Sequence, residues 1–312
     1  MGVLLSIIDQ NFLIPKATWT PEDLPDLTSH VMIVTGGNSG LGRETAKAIP
    51  LSQVLLLHNA KVYLACRSTE KGEAAIAALE TETGKRAVLL PLDLASLDSI
   101  KEAAAEFQRQ ESCLHVLFNN AGVMAAPVTE LTREGYDLQF GVNVLGHFYL
   151  AQLLLPRLKE AVKTSPDHVA RIINTSSQAH VFGSMNFEAL TNTAVRSELS
   201  PDALYAQSKF GNIVFSSECS HRYASDGVIS IALHPGMLTT NIGRHLHPLK
   251  RCFAHALCHC PPQGALTQLW AGTAPEAASM NGKVCHPHPS TLDREIGAQL
   301  WQWLENQVQD RY

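Results

Sequence analysis

The sequence predicts a single doubly wound α/β domain with a mainly parallel sheet and a small substrate cap. Three observations carry this expectation. Short apolar, β-branched runs alternate along the chain with longer segments of helical character. The runs are apolar throughout rather than at every second residue, which suits strands covered on both faces, as in a parallel sheet. The first run ends in a glycine-rich turn that opens a helical segment, the arrangement that carries a chain from one strand across a face to the next.

Taken in order, residues 1–30 read as an N-terminal arm. Its last part, "TPEDLPDLTS" at Thr20–Ser29, is acidic and turn-rich and leads into the first strand, "HVMIVTGG". Further strand-like runs follow at Val62–Ala65, Ala87–Pro91, Val116–Asn119, Ala170–Asn174 and Val228–His234. Between them, Leu41–His58, Thr69–Thr81, Leu97–Gln110, Gly135–Lys163 and Leu204–Tyr223 have helical character. The segment Gly183–Ala203 is longer than most α/β connections and reads as a functional flap or a local elaboration. A His- and Cys-rich stretch, 241–262, reads as the cap. No linker separates a second domain, so 31–312 forms one unit.

The chain has 312 residues, enough to bury a large core without disulfides. With 24 Lys plus Arg against 29 Asp plus Glu, the formal net charge is 24 − 29 = −5, and no nucleic-acid footprint is expected. Seven irregularly spaced cysteines fit reduced thiols, and a cytoplasmic protein, better than a disulfide framework. The N-terminal apolar stretch lacks a basic flank and is too short to span a bilayer. Gly2 and Ser6 fit the loose myristoylation pattern. The arm is therefore expected to pack on the domain or touch a membrane surface, with no transmembrane segment.

In "VTGGNSGLGRETAKA", Gly36, Gly40 and Gly42 are spaced G-x-x-x-G-x-G. Glycines here permit positive φ and let backbone amides of the turn, Asn38, Ser39, Leu41 and Gly42 among them, approach a diphosphate at the N-terminus of the following helix. No Lys-Ser/Thr pair follows, so the loop is not a nucleoside-triphosphate cradle. The second strand ends in Cys66 and Arg67, where a reader of the ribose 2′-hydroxyl would carry Asp or Glu. A missing carboxylate beside an arginine favours NADP(H) over NAD.

Pro50 interrupts the helical segment behind this loop. It has no N–H to give Ala46 and would clash with that carbonyl. The helix is expected to break between Ala48 and Gln53 and resume through Leu57, with the surplus "IPLSQV" forming a bulge remote from the phosphates. Deleting Ile49–Val54 is then expected to preserve or raise the thermal midpoint.

Tyr205 and Lys209, in "YAQSK", lie four apart on one helix face. An ammonium beside a phenol favours the phenolate, and such a tyrosine can exchange a proton with a substrate oxygen. Together with "TGGNSGLG", "NNAG", "NVLGHF", "NTSS" and "HPG", this pair makes the chain resemble the short-chain dehydrogenase/reductase family, in particular its retinol-dehydrogenase-like fungal members. The resemblance runs almost end to end and implies a Rossmann-type fold and an NAD(P)-dependent oxidoreductase. It implies Tyr205 as acid/base, with Lys209 lowering its pKa and holding the nicotinamide ribose. Ser177, next to Ser176, would hydrogen-bond the substrate oxygen, and Asn143 would hold a water linking Lys209 to solvent. Asp93 and Leu94 would lie near the adenine, while Asn119, Asn120, Ala121 and Gly122 would line the adenosine. Pro235, Gly236 and Thr239 would face the nicotinamide amide.

The expected reaction interconverts a primary or secondary alcohol and its carbonyl on a small hydrophobic substrate. Two alternatives stay open, an NAD-linked alcohol dehydrogenase and a non-catalytic dinucleotide sensor of the same fold. A homodimer or tetramer is compatible with either. Cys252, His255, Cys258, His259 and Cys260 invite a zinc reading, but Cys-x-Cys is tighter than the usual ligand spacing, and no metal is expected.

Overall fold

The computed structural model describes residues 19–37, 51–235, 262–284 and 287–311, with side chains at 262–264 excepted. The Asn38–Gly42 part of the glycine loop, the arm before Trp19, the cap segment 241–261 and the turn residues Gly236 and Thr239 lie outside the described residues.

Among the described residues, six strands form one wholly parallel sheet in the order β3-β2-β1-β4-β5-β6. They are β1 (Val31–Thr35), β2 (Lys61–Cys66), β3 (Val88–Pro91), β4 (Val116–Asn119), β5 (Ala170–Thr175) and β6 (Val228–Leu233). Each lies within a residue or two of its expected run. Every residue of β1, β4 and β6 is buried, as strands covered on two faces require.

The longer helices among the described residues are α1 (Leu51–Leu57), α2 (Thr69–Thr83), α3 (Leu97–Gln110), α4 (Leu138–Val162), α5 (Pro201–Arg222), α6 (Pro262–Thr273) and α7 (Arg294–Val308). The core of one sheet face takes its side chains from α3, α4, α5 and α7, and the other from α1, α2 and α6. Local signals explain the boundaries. In α3, the Ser96 side chain caps the N-terminus, Asp98 sits in the first turn and Arg109 in the last. Its buried residues Leu97, Ile100, Ala103, Ala104 and Phe107 follow the helical period. By length and composition α4 could cross a membrane, yet 72% of its apolar window is buried against the rest of the fold.

From Leu51, where the described residues resume, α1 is helical through Leu57; the expected break between Ala48 and Gln53 concerns residues up to Pro50 that lie outside the described ones. The expected remote bulge is corrected by burial. Leu51, Ser52 and Val54 are buried, and a Cβ built on Gly37 would lie 3.4 Å from the Ser52 hydroxyl. Half of the surplus stretch is therefore core, packed beside the glycine turn, because α1 needs its apolar face to cover β2.

A buried polar ladder crosses three strands. The Asn119 amide donates to Asn174 Oδ1 at 2.9 Å, and Asn174 Nδ2 donates to Ser230 Oγ at 3.0 Å. Ser230 in turn meets Ser216 of α5 at 2.9 Å.

Candidate active site

The strand order changes direction between β1 and β4, and the crevice outside the C-terminal strand ends at such a point is where doubly wound sheets bind ligands. Thr35, Asn119 and Thr175 end their strands there. Gly36 follows with φ +68°, and a Cβ on it would sit 2.9 Å from Ala121. Both the left-handed backbone and the close approach require glycine at this position.

Thr35 Oγ1 accepts the amides of Asn120 and Ala121, each at 2.9 Å, while Asn120 Nδ2 donates to the Thr35 carbonyl. Gln268 of α6 donates to Asn120 Oδ1 at 3.0 Å and to Thr175 Oγ1 at 2.9 Å. Asn120 and Ala121 are thus bound to β1 directly, and Asn120 is tied to β5 through Gln268. Asp93 Oδ1 accepts the Ala95 amide, and Leu94 is buried beside it. Arg67 is exposed at the end of β2, next to buried Cys66.

Asn143 lies in a π-turn, Gly141–Leu145, that widens α4. Its side chain is fully engaged: Oδ1 accepts the Val123 amide, and Nδ2 donates to the Val123 carbonyl and to Ser208 Oγ. Its carbonyl lies 3.0 Å from His147 Nδ1. A carbonyl only accepts, so Nδ1 carries the proton. Burial draws the His147 pKa down to about 4, so the ring is neutral, and its Nε2 lies 3.0 Å from Thr35 Oγ1, whose one proton is shared with the Phe118 carbonyl 3.1 Å away.

α5 starts with Ser200, whose side chain caps the helix, and Pro201 in the first turn. It brings Tyr205 and Lys209 to the strand ends, 8% and 2% exposed. The Lys209 ammonium lies 5.8 Å from the Tyr205 ring centre and donates to the Thr175 carbonyl at 2.8 Å. Burial pulls Lys209 down to about 7. Burial also pushes Tyr205 up to about 12, opposed by a hydrogen bond from Ser177. The phenol is thereby kept protonated at neutral pH in this arrangement, whereas the expectation was a lowered value. The reason is that desolvation of the phenolate outweighs the nearby groups.

Ser177 caps a short 3₁₀ turn, Gln178–Phe182, and Ser176 Oγ donates to the Lys209 carbonyl. His180, buried, donates through Nδ1 to the Ser177 carbonyl at 2.7 Å and accepts the His288 amide at Nε2. The flap Gly183–Ala203 is pinned by Arg196, whose Nε donates to Asp137 Oδ2 at 3.0 Å with both side chains 2% exposed. Asp137 Oδ1 also caps α4 through the Phe140 amide. His234 and Pro235 follow β6 at the same edge.

Asn143, Ser177, Tyr205, Lys209, Asn120, Ala121 and Gly36 therefore gather at one strand edge. Thr35, His147, His180 and Gln268 complete the constellation without having been assigned a role from sequence.

A family profile described as short chain dehydrogenase matches residues 30–250. The chain belongs to the short-chain dehydrogenase/reductase family. It is an oxidoreductase by that membership. A short-chain dehydrogenase/reductase of Armillaria gallica is 47% identical over 99% of this chain and 100% of its own length. Human retinol dehydrogenase 11 is 39% identical over 78% of this chain and 72% of its own. Among solved structures, an uncharacterised protein of Mycobacterium paratuberculosis superposes with a TM-score of 0.69 at 30% identity, covering 93% of this enzyme and 97% of that chain.

Proposed function

We propose that the enzyme interconverts an alcohol and its carbonyl on a small hydrophobic substrate with NADP(H), Tyr205 serving as acid and base. The observation that carries this reading is the Ser177 hydroxyl on the Tyr205 phenol, with Lys209 buried one turn further along the same helix face. The chain's residues fit a dinucleotide. Gly36 keeps the strand end free of a side chain over Ala121, and the crevice lies at the reversal of strand order. Lys209 would hold the nicotinamide ribose, Asp93 would lie by the adenine, and Arg67 would meet the 2′-phosphate, with Cys66 offering no opposing carboxylate. When bound, the dinucleotide supplies or takes the hydride at the reacting carbon.

The protein's own contribution is proton transfer and charge stabilisation. Held as a phenol, Tyr205 donates to a carbonyl oxygen in the reducing direction, and Ser177 adds a second donor as negative charge develops there. In the oxidising direction Lys209 supports the phenolate by its charge. Phe182, 69% exposed five residues after Ser177, supports an apolar substrate. Cytoplasmic activity, with the arm in peripheral membrane contact, belongs to the same proposal.

The test is turnover of apolar ketones and alcohols with NADPH, NADH and their oxidised forms. Turnover of at least one, with NADPH bound about tenfold tighter than NADH, is the expected result. Cofactor binding without turnover across the panel would replace this reading with the dinucleotide-sensing one.

A further inference from the structure

Gln268 lies within α6, where its neighbours Leu269 and Ala271 are 1% exposed and belong to the apolar core on that face of the sheet. Gln268 is itself 5% exposed. A leucine there would bury a similar area and need no partner, whereas a buried glutamine requires hydrogen bonds for its amide. The bonds it makes go to the candidate site. Nε2 donates to Asn120 Oδ1 at 3.0 Å and to Thr175 Oγ1 at 2.9 Å. Both acceptors belong to half-buried residues at the strand-end crevice.

The direction of this bridge is fixed by chemistry. Asn120 Nδ2 faces the Thr35 carbonyl at 2.9 Å, and a carbonyl can only accept. The Asn120 carboxamide therefore turns Oδ1 toward α6, where only a donor can answer it. Gln268 answers with one amide hydrogen and holds Thr175 with the other. The Thr175 carbonyl in turn accepts from the Lys209 ammonium at 2.8 Å and from Asn212 Nδ2 at 3.0 Å. One amide thus joins Asn120, the residue after β4, to Thr175, the last residue of β5.

We propose that Gln268 is a positioning residue for cofactor binding, which fixes the Asn120 carboxamide in the arrangement that receives the adenosine part of a dinucleotide. This rests on the dinucleotide-dependent reading above. An Asn120 side chain held only by Thr35 samples further orientations, and a ligand that needs one of them binds more weakly in proportion to the time spent in the others. The adenosine is common to NADPH and NADH, so Gln268 acts on both alike, unlike Arg67.

The experiment compares the full chain with Gln268→Met, which keeps the length and loses the donors, with Asn120→Ala, and with the double variant. NADPH and NADH are titrated by fluorescence without substrate, and cofactor-free thermal midpoints establish that each variant is folded at the titration temperature. Gln268→Met is expected to bind both cofactors about fivefold to tenfold more weakly. In the Asn120→Ala background the same change should cost less than about twofold, because the group it acts through is gone. Gln268→Glu, close in shape but presenting an acceptor to Asn120 Oδ1, should bind no better than Gln268→Met. Unchanged cofactor affinity in Gln268→Met would overturn the proposal. So would an equal loss with and without the Asn120 side chain, the signature of a purely structural role, or a loss confined to NADPH. If Gln268→Met does not fold, parent-like affinity in Gln268→Glu overturns it equally. A parent protein that binds neither NADPH nor NADH would instead remove the underlying dinucleotide reading.

Discussion

Lys209 offers a sharp test of how far the catalytic edge is desolvated. Its ammonium is buried and donates to the Thr175 carbonyl, and burial pulls its pKa from 10.5 to about 7. Between those two values the unfolded chain holds a proton that the folded chain has released. Stability of the cofactor-free enzyme therefore rises with pH across this window as far as Lys209 is concerned. From pH 6.5 to 8.5 the folded ammonium passes from mostly charged to almost wholly neutral, while the unfolded one stays charged. Integrating that proton difference at 1.36 kcal/mol per pH unit gives a gain of about 2 kcal/mol. Urea unfolding of the parent and of Lys209→Met at half-unit intervals isolates the effect, since groups such as Cys219, whose thiol burial also pushes up, contribute to both. The parent should gain about 2 kcal/mol relative to Lys209→Met over this range. Parallel pH profiles would refute the reasoning and mean that Lys209 keeps its charge when buried.

Tyr205→Phe should lower kcat by ~10²-fold or more while NADPH affinity, read by fluorescence, stays within a few-fold, because the ring still packs and only the proton-transfer group is lost. Arg67→Ala should erase most of the preference for NADPH by weakening NADPH alone; an equal loss for NADH in the same titration would show that Arg67 does not read the 2′-phosphate. Arg196→Met should cost about 3–5 kcal/mol in urea unfolding, since it leaves Asp137 buried without its partner. Deleting Ile49–Val54 should lower the thermal midpoint, contrary to what sequence suggested, because buried Leu51 and Val54 are each worth about 1.5–3 kcal/mol. A deletion protein as stable as the parent would show that α1 can be rebuilt from the residues around it.

Much of this molecule could be read from its residues, and the limits have a physical cause. Parallel strands such as Val228–Leu233 announce themselves because two covered faces demand an unbroken apolar run. Tyr205 and Lys209 are legible because one helical turn separates them. By contrast, Thr35 meets His147 across 112 residues and Asn120 meets Gln268 across 148. Contacts of that span leave no period in the sequence. His147 and His234 lay inside recognised motifs, yet nothing in the residue order showed that His147 pairs both ring nitrogens while His234, among the described residues, pairs neither. Pro50 misled for a related reason: a helix breaker is visible locally, whereas the burial of Leu51 and Ser52 is decided by β2 and Gly37.

The ladder Asn119–Asn174–Ser230 bears on how the chain finds its pairing in the first place. In strands exposed on one face, sliding by one residue turns apolar groups outward, and that penalty sets alignment. Here β4, β5 and β6 are shielded on both sides, so slippage by one or two positions would leave nearly the same hydrophobic area covered. The two amides and the hydroxyl break this degeneracy. Only when Asn119 stands opposite Asn174, as it does, can the donors find acceptors 2.9 and 3.0 Å away; any shifted zipper traps them in hydrocarbon at about 1–3 kcal/mol apiece. Replacing all three with apolar residues of similar size should therefore leave equilibrium stability nearly intact while populating misaligned, slowly correcting species during refolding, so the ladder acts as a proofreading mark for strand alignment.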